Sequence, residues 1–566
     1  MDKKWKILSQ PTANEAEDLA KRLRVNPILA RLLIQRDINT YEVAESFFRL
    51  SLDQLHDPFL MKDMDKAVNR LTDAIGNGEK ILVYGDYDVD GTTSVATFYG
   101  FLNAFYDQLA YYIPDRYKEG YGVSTEGIQY AKDNGYSLIV TLDCGIKAVD
   151  KVEMANQLGI DVIICDHHMP GDELPAAYAV LDPKRKDCDY PYKELSGCGV
   201  GFKLLQGFSI QSGIELEGLY EFLDLLAVSI ASDIVPITGE NRVMAYFGLK
   251  KLNSAPRPGL KALIEFNKVQ TNLTISSVVF GIGPRINASG RMGHAGSAVG
   301  LLLAETEEAA VGLANTVNDK NDARRDFDSA ITEEAIAMIL SNEGFEQTKS
   351  TVLYKHDWHK GVIGIVASRC IDKFYKPTVI LTESNDMVTG SARSVMGFDV
   401  YEAICECSDL LEQFGGHMYA AGVTMPIANV EPFKKKFEEV VASRITDDQL
   451  IPCLKIDSLM RLEEIDQKFY NIISQMAPFG PQNMQPVFVS ENVYATNVKV
   501  LKEQHLKFIV RQEGTNDAYD VIGFGFGEYS DMIDSGMRFH IAYSVEENEF
   551  RGHKSLQLFV KDIKFD

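Results

Sequence analysis

ILVYGDYDVDGTTSVATFYGFLNAF, residues 81–105, is an apolar run that breaks into Asp86, Asp88 and Asp90 and resumes as a helix-forming segment. A short apolar run bounded by turn residues predicts a buried strand, and the segment after it predicts a crossover helix. The pattern repeats twice. SLIVTL runs into Asp143 and then KAVDKVEMANQLG, and DVIIC runs into Asp166, His167 and His168. Strands alternating with helices predict a parallel sheet, so this part of the chain is of the α/β class.

In an open parallel sheet the functional crevice lies beyond the carboxyl ends of the strands. The acidic residues should therefore converge, although they lie up to about 80 positions apart in the chain. Asp233, in LLAVSIASDIVP, is a fourth candidate. Several carboxylates and two imidazoles at close range repel one another and raise each other's pKa, and divalent cations remove that conflict. Mixed Asp and His ligation suits Mn²⁺, with Mg²⁺ also compatible, and two ions together favour phosphoester hydrolysis. Two other readings of the acidic run fail. A calcium loop starting at Asp86 needs a bidentate Glu at its twelfth position, where Thr97 stands. An aspartyl-phosphate phosphatase of the haloacid dehalogenase type would use VDGTT but leave Asp166, His167 and His168 idle.

The chain has 566 residues, enough for roughly three or four domains. Its net charge of -24 argues against affinity for duplex DNA through bulk charge, so a nucleic-acid function must rest on local motifs. The eight cysteines show no metal-knuckle or redox spacing and are expected to be free thiols. No run is long and apolar enough for a membrane span, and the N-terminus lacks the apolar stretch of a signal peptide, which predicts a cytoplasmic protein. Residues 12–75 read as amphipathic helices and 301–340 as a long helix or helix pair. TVLYKH, VIGIVASRCIDKF and PTVILTE predict a second α/β region. From about 450 onward, short alternating runs such as PVFVS, LKFIVRQ and FHIAYSV predict a β-barrel or sandwich of the oligonucleotide-binding type. Residues 451–566 carry 12 basic and 17 acidic residues, so this region would grip a strand by shape and stacking rather than by bulk charge. Its Phe479, Phe508, Phe524 and Phe526 are expected in its core.

GDYDVDGTTS, TLDCG, CDHH and ASDIVP, in this order and spacing, resemble the motifs of the DHH phosphoesterase superfamily. By that likeness Asp88, Asp90, Asp143, His167 and Asp233 match the two-metal ligands, with Asp143 bridging. Asp86 and Asp166 match a supporting shell, and His168 is the member placed to touch the scissile phosphate. Tyr84 stands where many relatives carry His, so Asp86 is a candidate replacement ligand. PDRYKEGYG, SGCGVGFKL, GENR, GPRINASGRMGHA, WHKGVIGIVASR, GSARS, FGGHMYAAG and APFGPQNMQPVF extend the likeness to the single-stranded-DNA exonucleases of that superfamily, the RecJ family. The resemblance implies 5′-to-3′ degradation of single-stranded DNA in repair and recombination, a monomer, and single-strand-binding protein and a RecQ-type helicase as partners.

It also implies a serial layout: 1–75 N-terminal helical cap, 76–300 DHH catalytic domain, 301–340 connecting helix, 341–448 DHH-associated domain, and 449–566 OB-fold-like domain. Arg116, Arg285, Asn287 and Arg291 are expected to meet the substrate, the arginines from loops rich in Gly, Pro or Asn. His359, Arg393, Gly415, Gly416 and His417 are expected to form an anion pocket, with GGHMYAAG at a helix start. Two other readings stay open on sequence: a small-nucleotide or cyclic-dinucleotide phosphodiesterase of the same superfamily, and a non-catalytic strand-binding scaffold.

Overall fold

The computed structural model describes residues 2–266 and 272–565. Two compact units emerge: Ser46–Arg324 with Ala477–Met484, and Met1–Glu45 with Arg325–Met476 and Gln485–Asp566.

The first unit is built on a five-stranded parallel sheet. Its strand order is Leu109–Tyr112, Ile81–Gly85, Leu138–Leu142, Asp161–Cys165 and Ala179–Leu181. Ile81–Gly85 and Leu138–Leu142 are buried at every position, as uninterrupted apolar runs covered on both faces must be. Val83 lies in one core with Phe98 and Phe202, and Tyr84, one residue on, in a second core with Ile128 and Ile139. Phe98 and Phe202 are wholly buried, so cutting either to Ala costs about 3–5 kcal/mol. The helices Val89–Leu102, Gly197–Ser212 and Leu223–Ser232 are apolar almost all round because they lie inside the unit. At Gly91 a Cβ would sit 2.4 Å from the Asp86 carbonyl oxygen, so a glycine lets the helix begin directly against the strand end.

The second unit holds a mixed sheet and a barrel. In the mixed sheet, Gln413–His417, Ala420–Met425, Met387–Arg393 and Thr378–Ser384 pair antiparallel in that order, and Thr351–Tyr354 adds in parallel. The later turns of the 34-residue helix Glu307–Leu340 place Ile331, Ala335 and Ile339 in a core with Trp358 and Val366. The barrel runs Phe488–Leu501, His505–Gln512, Ala518–Gly523, His553–Phe565 and Phe539–Phe550, and the last strand pairs back to the first. Burial along His505–Gln512 alternates strictly, as a barrel wall requires. Phe508 is core as expected, but Phe524 is 53% exposed, and Phe479 and Phe526 are only half-buried. In the strand within DVIGFGFG the inward positions are Val521 and Gly523, so Phe524, just past the strand end, has the outward parity of Asp520 and Ile522.

Ahead of the helices expected from residue 12, Lys4–Ile7 forms a parallel strand with Cys453–Ile456. Arg36 lies 3.4 Å from the buried Asp457, whose other oxygen accepts the Val487 amide at 2.9 Å. All eight cysteines are free. Among the described residues, no helix is long and apolar enough to cross a membrane.

Candidate metal centre

The carboxyl ends of the central strands deliver the acidic residues to one place. Asp88 caps the helix Val89–Leu102 by accepting the Gly91 amide at 3.0 Å. Asp90, in the first turn of that helix, accepts the amides of Gly197 and Cys198 at 2.7 and 2.9 Å and the Ser229 hydroxyl at 2.7 Å. Asp143 follows its strand in a left-handed conformation, φ 61°, and Asp233 ends the helix Leu223–Ser232. His167 Nε2 stands 3.2 Å from Asp143, 3.5 Å from Asp233 and 3.9 Å from Asp90. Asp90, His167 and Asp233 form one group whose ligand atoms lie within 4.8 Å of one another, and Asp143, His167 and His168 form a second.

The donor set fits divalent cations. Asp86 Oδ2, Asp143 Oδ1 and both ring nitrogens of His167 are buried without a well-formed hydrogen bond, although His167 Nε2 and Asp143 Oδ1 face each other at 3.2 Å. Each such atom costs about 1–3 kcal/mol unless something compensates it, and a cation held between Asp143 Oδ1 and His167 Nε2 would compensate those two together. Burial first, and repulsion from neighbouring carboxylates second, push Asp86, Asp143 and Asp233 well above the usual carboxylate range and raise Asp88. Burial lowers His167 to about 4, which keeps its imidazole neutral and able to ligate. His168 differs. Burial opposes its charge, but the 2.7 Å contact of Nδ1 with Asp166 outweighs that and raises it to about 9. Its Nε2 lies 3.2 Å from the Tyr121 hydroxyl, which donates to the Asp143 carbonyl at 3.2 Å.

Tyr84 is turned away from this cluster: its hydroxyl donates to the Gly122 carbonyl at 3.0 Å and lies 3.2 Å from Ser124 Oγ. Asp86 is fully buried beside the cluster, with Oδ1 accepting the Gly122 amide at 3.4 Å. Residue type alone does not mark the amides of Gly197 and Cys198, or Ser229, as part of the site. The signal was present in SGCG, since Ser196 accepts the Gly199 amide at 3.1 Å and so caps a helix whose first free amides point at Asp90.

Of the expected substrate contacts, Arg116 lies in a turn with its guanidinium 4.8 Å over the Tyr87 ring. Arg285, Asn287 and Arg291 are not in loops but on the helix Gly283–Arg291, because Pro284 occupies the first turn, where its missing N–H is harmless. Arg285 donates to Asn318 at 3.1 Å and to the Gly281 carbonyl at 2.6 Å. The same helix lies close on the acidic loop, since a Cβ on Gly290 would be 2.7 Å from the Tyr87 carbonyl oxygen.

The remaining candidates belong to the other unit. Gly415, Gly416 and His417 do not start a helix: they form the edge strand Gln413–His417, which turns back into Ala420–Met425. Gly416 has φ 154°, and a Cβ there would lie 2.3 Å from the Ala420 carbonyl oxygen, so the glycines serve a tight hairpin. Arg393 and His417 both pair with Ala420 and so share a row and a face of the sheet. A helix start does lie beside them, at Ile363–Phe374: a Cβ on Gly364 would be 2.9 Å from the Arg393 guanidinium. His359, just ahead of that helix, stacks on Phe327 at 5.0 Å.

Family models match this chain as the DHH family N-terminal domain over residues 80–230, the DHHA1 domain over 347–443 and the RecJ OB domain over 456–562. The single-stranded-DNA-specific exonuclease RecJ of Bacillus subtilis is 37% identical over 564 residues, covering 99% of this chain and 70% of that protein. The chain belongs to the RecJ family. The RecJ of Escherichia coli K12 is 32% identical and is covered over 98% of both chains. Among solved structures, RecJ from Thermus thermophilus in complex with Mn²⁺ superposes with a TM-score of 0.84 at 26% identity, over 100% of this chain and 80% of that one. An exonuclease RecJ bound to manganese matches with a TM-score of 0.61 at 32% identity, over 70% of this chain and 98% of that one.

Proposed function

We propose that this chain is a metal-dependent exonuclease that hydrolyses single-stranded DNA from the 5′ end and releases 5′-mononucleotides during DNA repair and recombination. The observation that carries this reading is the buried Asp and His cluster with its two groups of converging ligand atoms, set on the fold of the RecJ family. Asp88, Asp90, Asp143, His167 and Asp233 would hold two ions, Mn²⁺ or Mg²⁺, with Asp143 as the candidate shared ligand and Asp86 in support. Such a pair supplies Lewis acidity at the phosphoryl oxygen and lowers the pKa of a water. The chain's own part is to fix the cluster, orient the strand and hold the scissile phosphate. Asp166 keeps the His168 ring in one orientation through Nδ1, leaving Nε2 for the phosphate in exchange for Tyr121.

Arg116, Arg285, Asn287 and Arg291 in the DHH unit, and His359, Arg393, Gly415, Gly416 and His417 in the DHHA1 region, are proposed to contact the strand. The barrel adds grip. We retain the serial domain layout, with boundaries near 75, 300, 340 and 448, and the family matches at 80–230, 347–443 and 456–562 support it. The working form is a cytoplasmic monomer that meets single-strand-binding protein and a RecQ-type helicase at the DNA. Turnover with Mn²⁺ on single-stranded DNA, a dinucleotide and pyrophosphate tests the reading. Preference for the dinucleotide or pyrophosphate defeats it in favour of a small-molecule phosphohydrolase, and inactivity on all three favours a scaffold.

A further inference from the structure

The residue after Asp233 is out of keeping with its surroundings. Ile234 has φ 61°, and among the described residues it is the one β-branched side chain in the left-handed region. That conformation strains a β-branched residue, and such strain persists where neighbours impose it. Here they do. The Pro236 carbonyl accepts from Asn241 at 3.1 Å and from the Tyr192 hydroxyl at 3.2 Å, and the Ile237 amide donates to the Pro481 carbonyl at 2.8 Å. Val235 and Ile237 are core, whereas Ile234 is 65% exposed. The turn therefore holds an aliphatic side chain in water, beside a carboxylate 3.5 Å from His167, and the packing of the unit makes no use of it.

A second exposed apolar residue flanks the same helix end. Phe280, at 79%, is the most exposed of the large hydrophobic residues described. It sits in the π-helical turn Val278–Ile282, a geometry that recurs at functional sites. This turn packs against the end of Leu223–Ser232: a Cβ on Gly283, the next residue, would be 2.7 Å from Ser232 Oγ. Directly after it comes the helix bearing Arg285, Asn287 and Arg291.

We infer that Ile234 and Phe280 form an apolar rim that packs against the bases of the nucleotides whose phosphates meet the Asp90, His167 and Asp233 group. The inference rests on the exonuclease reading. Phosphates are served by cations and by the polar helix, but a base presents an uncharged flat face that carboxylates and guanidinium groups leave uncovered. Apolar and aromatic side chains cover such a face without regard to sequence, as a degradative enzyme needs.

Oligodeoxynucleotides with natural bases, and the same strands with abasic residues in the first positions, test it. Ile234→Ala and Phe280→Ala should each raise KM on natural strands about tenfold with kcat little changed, the size expected for losing contact with one base. On abasic strands neither substitution should have a further effect. Equal losses on natural and abasic strands, or no loss on natural ones, overturn the inference. Ile234→Gly, which relieves the backbone, should raise Tm while weakening natural strands as Ile234→Ala does; a lower Tm with unchanged KM makes Ile234 structural and also overturns it. Fluorescence anisotropy of the same strands on Asp143→Asn protein carries the comparison without turnover. A wild type that binds natural strands better than abasic ones yet cleaves neither defeats the exonuclease reading and leaves the rim standing.

Discussion

Asp90 Oδ2 accepts the backbone amide of Gly197 at 2.7 Å, which ties the first turn of the helix Val89–Leu102 to the start of a helix more than a hundred residues later. The carboxylate is thus oriented by fixed backbone dipoles before any ion arrives. The same glycine leaves no room for a side chain: a Cβ there would lie 2.6 Å from Asp143 Cβ and Oδ1 and 2.8 Å from its Cα.

Gly197→Ala should therefore displace Asp143 or the helix start and lower metal affinity or activity by about 10- to 100-fold, the usual cost of disturbing a ligand's support. Mn²⁺ titration calorimetry together with a nuclease assay on folded protein checks it. Wild-type affinity and turnover would show that the cluster tolerates the added methyl group.

Asp143→Asn keeps the size of the side chain and removes the charge that makes bridging favourable. Activity should fall by several orders of magnitude, because stabilisation of the attacking and leaving oxygens depends on both ions together. Strand binding should largely persist. Near-normal cleavage with two ions still bound excludes the bridging role.

Removing metal should lower Tm. Asp143 Oδ1 and His167 Nε2 are buried without a well-formed hydrogen bond, a lack that an ion between them would make good, and an ion that binds the native state alone stabilises it by about 2.7 kcal/mol at a concentration 100 times its Kd. Thermal scans with Mn²⁺ and with a chelator should differ for the wild type and much less for Asp143→Asn. The same Tm with and without Mn²⁺ in the wild type contradicts the metal assignment.

The strand ends were legible because a parallel strand buried on both faces is a continuous apolar run, and the first polar residue after it marks the crevice. Asp86, Asp143 and Asp166 could be found that way. The Gly197 and Cys198 amides could not, since they follow no strand end, and the Ser196 cap in SGCG marks the helix start but not what its amides face. Arg285 and Arg291 were misplaced in loops because Gly and Pro read as breakers, although Pro in a first turn starts a helix. Gly415 and Gly416 allow close backbone approach at a helix start as in a turn, and the hairpin is decided by pairing with Ala420–Met425, a contact that local pattern does not encode. Phe524 lies outside the core because it shares the outward parity of Asp520 and Ile522, a parity that the mixed Gly and Phe run GFGFG does not reveal.

The barrel's grip is best tested by a point substitution. Truncation near Arg444 would remove the strand partner of Lys4–Ile7 and the Asp457 partner of Arg36, and so confound binding with folding. Phe524 is exposed, with its ring 5.3 Å from Phe559 and 5.0 Å from His505. Phe524→Ala should weaken binding to long single strands by about 1–3 kcal/mol if it stacks one base, with Tm nearly unchanged. Unaltered affinity for long strands removes this face of the barrel from the binding path.

Arg393 tests the contribution of the DHHA1 region. Its guanidinium lies 3.0 Å from Ser391 Oγ and close to Gly364, in the first turn of a helix that has no side-chain cap. A guanidinium and the positive end of a helix are an unfavourable pair by themselves, and an anion held by both turns that repulsion into attraction. Arg393→Ala should then raise KM by about 10- to 100-fold, the loss of a charged hydrogen bond of about 1.5–3 kcal/mol, while leaving metal content and fold intact. Arg393→Lys should recover only part of this, since an ammonium keeps the charge but not the planar fork that meets two phosphate oxygens. Measured with strand-binding titrations and steady-state kinetics, full recovery by Lys reduces the role to bulk charge, and an Ala variant with unchanged binding and turnover removes Arg393 from the substrate path.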